Sequence, residues 1–381
     1  MAGVAEESNI VSLLNGGYLS AAAEQLVSYF TNSKSTTVHI AVLGKSGSGK
    51  SAFINALRGV HDNDTGAAPT GQKETTTEPK MYKYPDKDTV TISELPGLGS
   101  SQHLDFNCYD FFIILSSGHF KKKHFLLAIE IQQKNKKFYF VRAKVDRDLN
   151  WAKRWKKCCY NENQTLEKLR NDCVVSLRKG VIESPQVFLI SSWNLNKFDF
   201  GKMLEVLEGD LPDLKRRAFL LALPNFTVSI IEKKKAVIMD EIWKVGGLSA
   251  ASAVVPIPGL SIACDITLLV CTVSSYRTHF GLDEDSLARL AKRVGKTAEQ
   301  LRSVVSSTLG QQVSNDIIRQ ELTKTSGMKV LLSKVLTYLP FVGQVAAAVV
   351  SYNTINSMLN TAVEEMAEDA KRVLAKSLLV E

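Results

Sequence analysis

The chain has 381 residues, 45% apolar and 23% charged, enough for two ordinary hydrophobic cores and too apolar for large-scale disorder. Lys and Arg outnumber Asp and Glu by 47 to 39, giving a net charge of +8. That surplus favours an anionic partner, whether nucleotide, nucleic acid or acidic membrane, without choosing among them. The six cysteines form no C-x-x-C pair and the six histidines no metal-ligand spacing, which argues against a disulfide framework or a zinc site and for reduced thiols in the cytoplasm.

No signal peptide is expected. Glycine stands third (Met1-Ala2-Gly3), so N-myristoylation is not expected, and no apolar run is long enough for a transmembrane helix. Residues 1–34 predict two short helices, Asn9–Leu14 and Leu19–Phe30, parted by Gly16-Gly17. Each is apolar on one face and is expected to pack on a helical domain further along.

Residues 35–212 alternate strand and helix patterns. Strands are predicted at Val38–Leu43, Thr89–Ser93, Tyr109–Leu115, Lys137–Val141 and Val187–Ile190, with helices at Lys50–Leu57, near Phe125–Lys134 and at Leu166–Lys179. This alternation implies an α/β domain, a doubly wound and mostly parallel sheet. After Pro212 the strand signals stop, and residues 213–381 predict an all-α domain. Its expected helices are Asp213–Leu221, Ile230–Val245, Ile262–Phe280, Asp285–Val294, Thr297–Ser306, Ser314–Lys324, Lys329–Leu339 and a broken Gly343–Leu379. Asp283 and Thr297 read as helix starts, and Thr297 with Gln300 has capping-box spacing. The basic clusters Lys121–Lys123, Lys153–Lys157, Lys215–Arg217 and Lys233–Lys235 read as solvated helix faces or loops.

Gly44-Lys45-Ser46-Gly47-Ser48-Gly49-Lys50-Ser51 fits G-x-x-x-x-G-K-S in full. Its glycines let backbone N–H groups close around phosphate oxygens, Lys50 reaches the outer phosphates, and the Ser51 hydroxyl ligates Mg²⁺. Ala52 extends the phosphate-facing start of the following helix. Three further motifs each follow a predicted strand. Glu94-Leu95-Pro96-Gly97 stands where a GTPase carries D-x-x-G, with Glu94 on the metal side and Gly97 on the γ-phosphate side. Ala143-Lys144-Val145-Asp146 resembles N-K-x-D, with Asp146 accepting from guanine and Lys144 lying along the base. Ser191-Ser192 stands where a backbone amide caps guanine O6. The loop Gly59–Thr77 reads as switch I, with Thr70, Thr75, Thr76 and Thr77 as candidates for Mg²⁺ and γ-phosphate. The order and spacing of these motifs, each at a strand end, point to GTP or GDP with Mg²⁺.

The strings Phe53-Ile54-Asn55-Ala56-Leu57-Arg58-Gly59, Gly66-Ala67-Ala68-Pro69-Thr70-Gly71, Tyr109-Asp110-Phe111-Phe112, Phe138-Tyr139-Phe140-Val141-Arg142, Leu223-Pro224-Asn225 and Ile231-Glu232-Lys233-Lys234 resemble the immunity-related (interferon-inducible) GTPases. The likeness is close over about residues 37 to 290 and looser beyond. It implies a Ras-like domain with a helical domain built from both termini, and GTP hydrolysis with GTP-dependent self-assembly. It also implies pairing with other family members and peripheral action on intracellular or vacuolar membranes. It places Thr76 as the switch threonine and Glu74 as an acidic residue acting in hydrolysis across a dimer. Lys50 assigns the chain to the GKS type. Two departures bear on catalysis: glutamate replaces aspartate at Glu94, and only nine residues separate Gly99 from Tyr109, a short switch II. Both predict slow hydrolysis.

The alternative is a weakly hydrolysing nucleotide-binding regulator that pairs with other GTPases. Leu287–Val305 has a helix–glycine–helix cadence with basic residues, but such turns are common in helical domains, and no nucleic-acid partner is expected. Two apolar regions, Leu248–Val273 and Lys329–Tyr352, are either buried core or an interfacial hairpin.

Overall fold

A computed structural model describes residues 36–71, 78–85, 87–96, 105–179, 182, 185–243, 245, 260–325 and 342–379. Two compact units form, one of residues 36–227 and one from Val228 onward.

The first unit is a six-stranded sheet in the order β2-β3-β1-β4-β5-β6. Its strands are β1 (Val38–Gly44), β2 (Lys80–Tyr84), β3 (Lys87–Glu94), β4 (Phe111–Ser116), β5 (Lys137–Arg142) and β6 (Val187–Leu189). All neighbours are parallel except β2, which runs antiparallel to β3. Every residue of β4 is buried, as a strand covered on both faces requires. β2 was not predicted. It is an edge strand with Lys80, Met81 and Lys83 exposed, so no apolar run marks it.

Helices α1 (Lys50–Arg58), α2 (Lys122–Gln133), α3 (Val145–Lys156), α4 (Glu162–Lys179), α5 (Phe200–Gly209) and α6 (Asp213–Ala222) complete this unit. α1 runs between two left-handed glycines, Gly49 and Gly59, a start and stop that only glycine adopts without strain. α3 and α5 were also not predicted. α6 packs on β3 and β1, and Phe219 meets Phe111 edge to face at 6.2 Å. The sheet unit therefore extends past the change of pattern at Pro212. β1 lies between β3 and β4, so the chain departs to opposite sides of β1, and the crevice at the carboxyl end of β1 is the sheet's switch point.

The second unit is helical: α7 (Val228–Met239), α8 (Leu260–His279), α9 (Glu284–Val294), α10 (Ala298–Arg302), α11 (Thr308–Gln311), α12 (Asn315–Thr325) and α13 (Val342–Leu378). α13 runs 37 residues unbroken where the sequence reading expects breaks; no proline follows Pro340 to interrupt it. It contacts α7, α8, α9, α10, α11 and α12. Asp369 of α13 is fully buried and accepts from the main-chain N–H of Ser306 at 2.8 Å and of Ser307 at 3.0 Å. Thr297 and Gln300 form the reciprocal capping box their spacing predicts, and Asp283 caps α9 by accepting from Ser286 N–H. α10 has five residues, too short to lie in a DNA groove as a recognition helix, and its Leu301 is buried core. The helices predicted within 1–34 and at Lys329–Leu339 lie outside the described residues.

Candidate functional site

The carboxyl ends of β1, β3, β5 and β6 bring the predicted motifs to one edge of the sheet. At Gly44 a Cβ would sit 2.4 Å from the Leu115 carbonyl oxygen, so glycine alone lets the end of β1 approach β4 this closely. Gly47 (φ 75°) and Gly49 (φ 100°) are left-handed, and the turn closes through Ser48 N–H donating to Lys45 O at 3.0 Å. Lys45 and Gly47 are exposed and Ser46 half-buried. The loop hands over to α1, whose first-turn amides at Ser51 and Ala52 have no intrahelical acceptor and carry the positive end of the helix dipole.

Lys50 and Ser51 are buried at the base of this loop, at 6% and 8% exposure. Glu94, at the end of β3, is 2% exposed. The Ser51 hydroxyl lies 3.0 Å from both Glu94 oxygens, and Lys50 Nζ lies 3.8 Å from Glu94 Oε1 and 3.4 Å from Gly44 O. Charge balance explains the arrangement: a buried carboxylate is held by the nearest cation and a hydroxyl donor.

The β5 motif meets the same loop. Lys144 has a left-handed backbone, φ 62°, and its Nζ donates to Gly47 O at 2.8 Å. Its stem passes Gly49, where a Cβ would come within 3.3 Å of Lys144 Cε. Desolvation lowers the Lys144 pKa, helped by Arg147 and opposed by Asp146. Val145 N–H donates to Ile190 O at 3.2 Å, tying this motif to the loop after β6. Ser191 is fully buried, and its hydroxyl accepts from Trp193 and Asn194 N–H. That hydroxyl is therefore engaged in its own turn, and any contact to a base there falls to the main chain of Ser191 and Ser192. Ala143, which stands in the asparagine position, is buried.

Two buried polar atoms around this loop lack a hydrogen-bond partner, Asp146 Oδ1 and Ser48 Oγ. Such groups are costly unless a ligand satisfies them. An acceptor-only carboxylate oxygen fits the N–H and amino edge of guanine, and a left-handed glycine loop fits phosphates. Ser51 with Glu94 is a hard oxygen donor set of the kind that magnesium takes alongside phosphate oxygens and water. The residues therefore fit both a guanine nucleotide and Mg²⁺.

Glu74, Thr75, Thr76, Thr77 and Gly97 lie outside the described residues. Thr70 is described, and its hydroxyl donates to Asp62 at 3.1 Å. Two bracing residues were missed as site elements. Asn55 is 1% exposed; it donates to Asp62 and Ala68 O and accepts from Ala68 N–H. Arg58 donates to Lys83 O and Gly66 O. Together they fasten the loop after α1 to that helix. The available signal was a polar residue among the apolar positions of a helix that must be buried against the sheet.

The profile of the interferon-inducible GTPase family matches residues 5–377. The chain is 37% identical to Interferon-inducible GTPase 5 of Rattus norvegicus over 371 residues, covering 95% of this chain and 80% of the relative. It is 34% identical to Interferon-gamma-inducible GTPase 10 of Mus musculus over 92% of this chain and 84% of the relative. It is 36% identical to Interferon-inducible GTPase 1 of Mus musculus over 76% and 72%.

Proposed function

This chain belongs to the interferon-inducible GTPase family, and we propose that it is a slow GTP hydrolase that self-assembles in its GTP state and acts peripherally on intracellular membranes in cell-autonomous immunity. Membership makes a guanine nucleotide its ligand. The observation that carries guanine selectivity is the buried, unpartnered Asp146 Oδ1 beside the Lys144 stem that crosses the phosphate loop. Lys50 and the amides of Gly47–Ala52 hold the phosphates. A bound magnesium ion, held by Ser51 and by Glu94 through water, would neutralise phosphate charge. Water attacks the γ-phosphorus and GDP leaves. Gly97 and Thr76 sense the γ-phosphate, and Glu74 acts across a dimer. Among the described residues no helix is long and apolar enough to cross a membrane, which is compatible with peripheral attachment.

A second reading is favoured by Glu94. Its carboxylate engages both Ser51 and Lys50, so a nucleotide with its metal has to displace these contacts. A protein that binds but scarcely turns over, and pairs with other GTPases of the family, would follow. Nucleotide affinity and phosphate release measured across a protein concentration series separate the two. Turnover per molecule that rises with concentration supports the assembling hydrolase, and tight binding without turnover supports the regulator. ATP competing as well as GTP would sink guanine selectivity.

A further inference from the structure

α3 buries one face, with Val145, Leu149 and Ala152 in the core, and presents the other to solvent. Arg147, Trp151, Arg154 and Trp155 stand at i, i+4, i+7 and i+8, one stripe of a helix, and all four are exposed. Trp151 is 64% and Trp155 73% exposed. Their rings lie against each other at 5.8 Å between centroids, tilted by 41°. Two adjacent exposed indoles are far more apolar surface than a solvated helix face needs. The segment 149–161 carries Lys153, Arg154, Lys156 and Lys157 and no carboxylate.

We propose that this face of α3 is a docking surface for an anionic lipid bilayer. The inference rests on the membrane association proposed above and names its contact. Indoles settle at the headgroup boundary, with the ring in the acyl margin and the N–H in water. Arg147 and Arg154, on the same stripe, meet lipid phosphates and carboxylates, each contributing about a fivefold gain in partition. Other occupants fit less well. A second copy docked through the same face would bring basic residues against their own symmetry mates. A nucleic acid would need rings spaced to take successive bases on separate faces, and here the two rings lie 5.8 Å apart between centroids and tilted toward each other.

The test uses the full-length protein loaded with GTP and vesicles of phosphatidylcholine alone or with phosphatidylserine. The protein is expected to sediment with the phosphatidylserine vesicles, with its tryptophan emission moving to shorter wavelength. Trp151→Ala with Trp155→Ala should reduce partition about tenfold or more. Arg154→Gln should reduce it about fivefold and weaken its salt dependence. Both variants change exposed side chains only, so guanine nucleotide affinity and circular dichroism should stay as in the parent. Parent and tryptophan variant sedimenting equally would overturn this inference and leave the membrane reading standing. No sedimentation of the GTP-loaded parent would overturn both. Binding of a single-stranded oligonucleotide, lost in the tryptophan variant while vesicle binding is kept, would reassign the face to nucleic acid.

Discussion

The Ser51 hydroxyl donates to both carboxylate oxygens of Glu94, at 3.0 Å each. One proton is thus shared between two acceptors, and the oxygen that should face a metal is turned to a carboxylate. Glu94→Asp shortens the side chain by one methylene and withdraws the carboxylate from Ser51. Half-saturation by Mg²⁺ should fall and GTP hydrolysis should speed up, at a stability cost of about 1 kcal/mol for the lost buried methylene. Phosphate release followed over a magnesium titration reads both effects. If neither moves, the long carboxylate is not what slows the enzyme.

Lys50→Ala removes the chief cation offered to the outer phosphates. A charged hydrogen bond of this kind contributes about 1.5–3 kcal/mol, so triphosphate affinity should drop by roughly one to two orders of magnitude. A fluorescent-nucleotide titration checks it, with thermal unfolding run alongside because Glu94 loses its neighbouring cation. Unchanged affinity in a folded variant would remove the phosphate-loop assignment.

Asp146→Asn should weaken guanine nucleotides by about 2–3 kcal/mol, through loss of a charge-assisted pair, and shift preference toward xanthine nucleotides. The asparagine amide donates where guanine also donates, but it meets an acceptor in the xanthine 2-oxo group. Competition of GTP and XTP against a labelled nucleotide measures the switch. Equal losses for both bases would take Asp146 out of base recognition.

His124 makes stability fall in acid. Burial pushes its pKa below the ordinary 6.5. Its Nδ1 accepts from Lys121 N–H at 3.0 Å, so the neutral ring carries its proton on Nε2. A second proton would confront that donor and break the cap of α2. The folded pKa lies below the unfolded one, so the unfolded chain binds the proton first. Stability is therefore complete above about pH 6.5 and is lost as pH falls through the lowered folded value. Urea midpoints measured from neutral pH downward should fall more steeply for the parent than for His124→Gln, which can still accept from the cap. Parallel curves would exclude His124 as the titrating group.

The buried parallel strands were legible because β1, β4 and β5 are runs of large apolar residues ended by turns. The phosphate loop was legible because its glycines and lysine leave few other uses for the pattern. Direct contacts between partners far apart in sequence were not: the motifs put Ser51 and Glu94 at one metal without announcing the hydrogen bonds between them, and nothing local to Asn55 announces Ala68. α3 was hidden by its own exposed tryptophans, which disturb the amphipathic period. β2 was hidden because an edge strand with lysines outward reads as loop.

The grip of Asp369 on Ser306 and Ser307 has a consequence for biosynthesis. The clasp joins residues more than sixty positions apart in sequence, and α13 touches each of the helices α7–α12. During translation those helices leave the ribosome before their common partner exists, and at 5–20 residues per second their apolar faces wait for several seconds. The sheet unit can close as soon as Thr227 has emerged. The nascent helical unit is thus the part of this protein most dependent on chaperones, and a stop codon between residues 312 and 342 would leave a closed sheet unit followed by helices without α13, the partner they share.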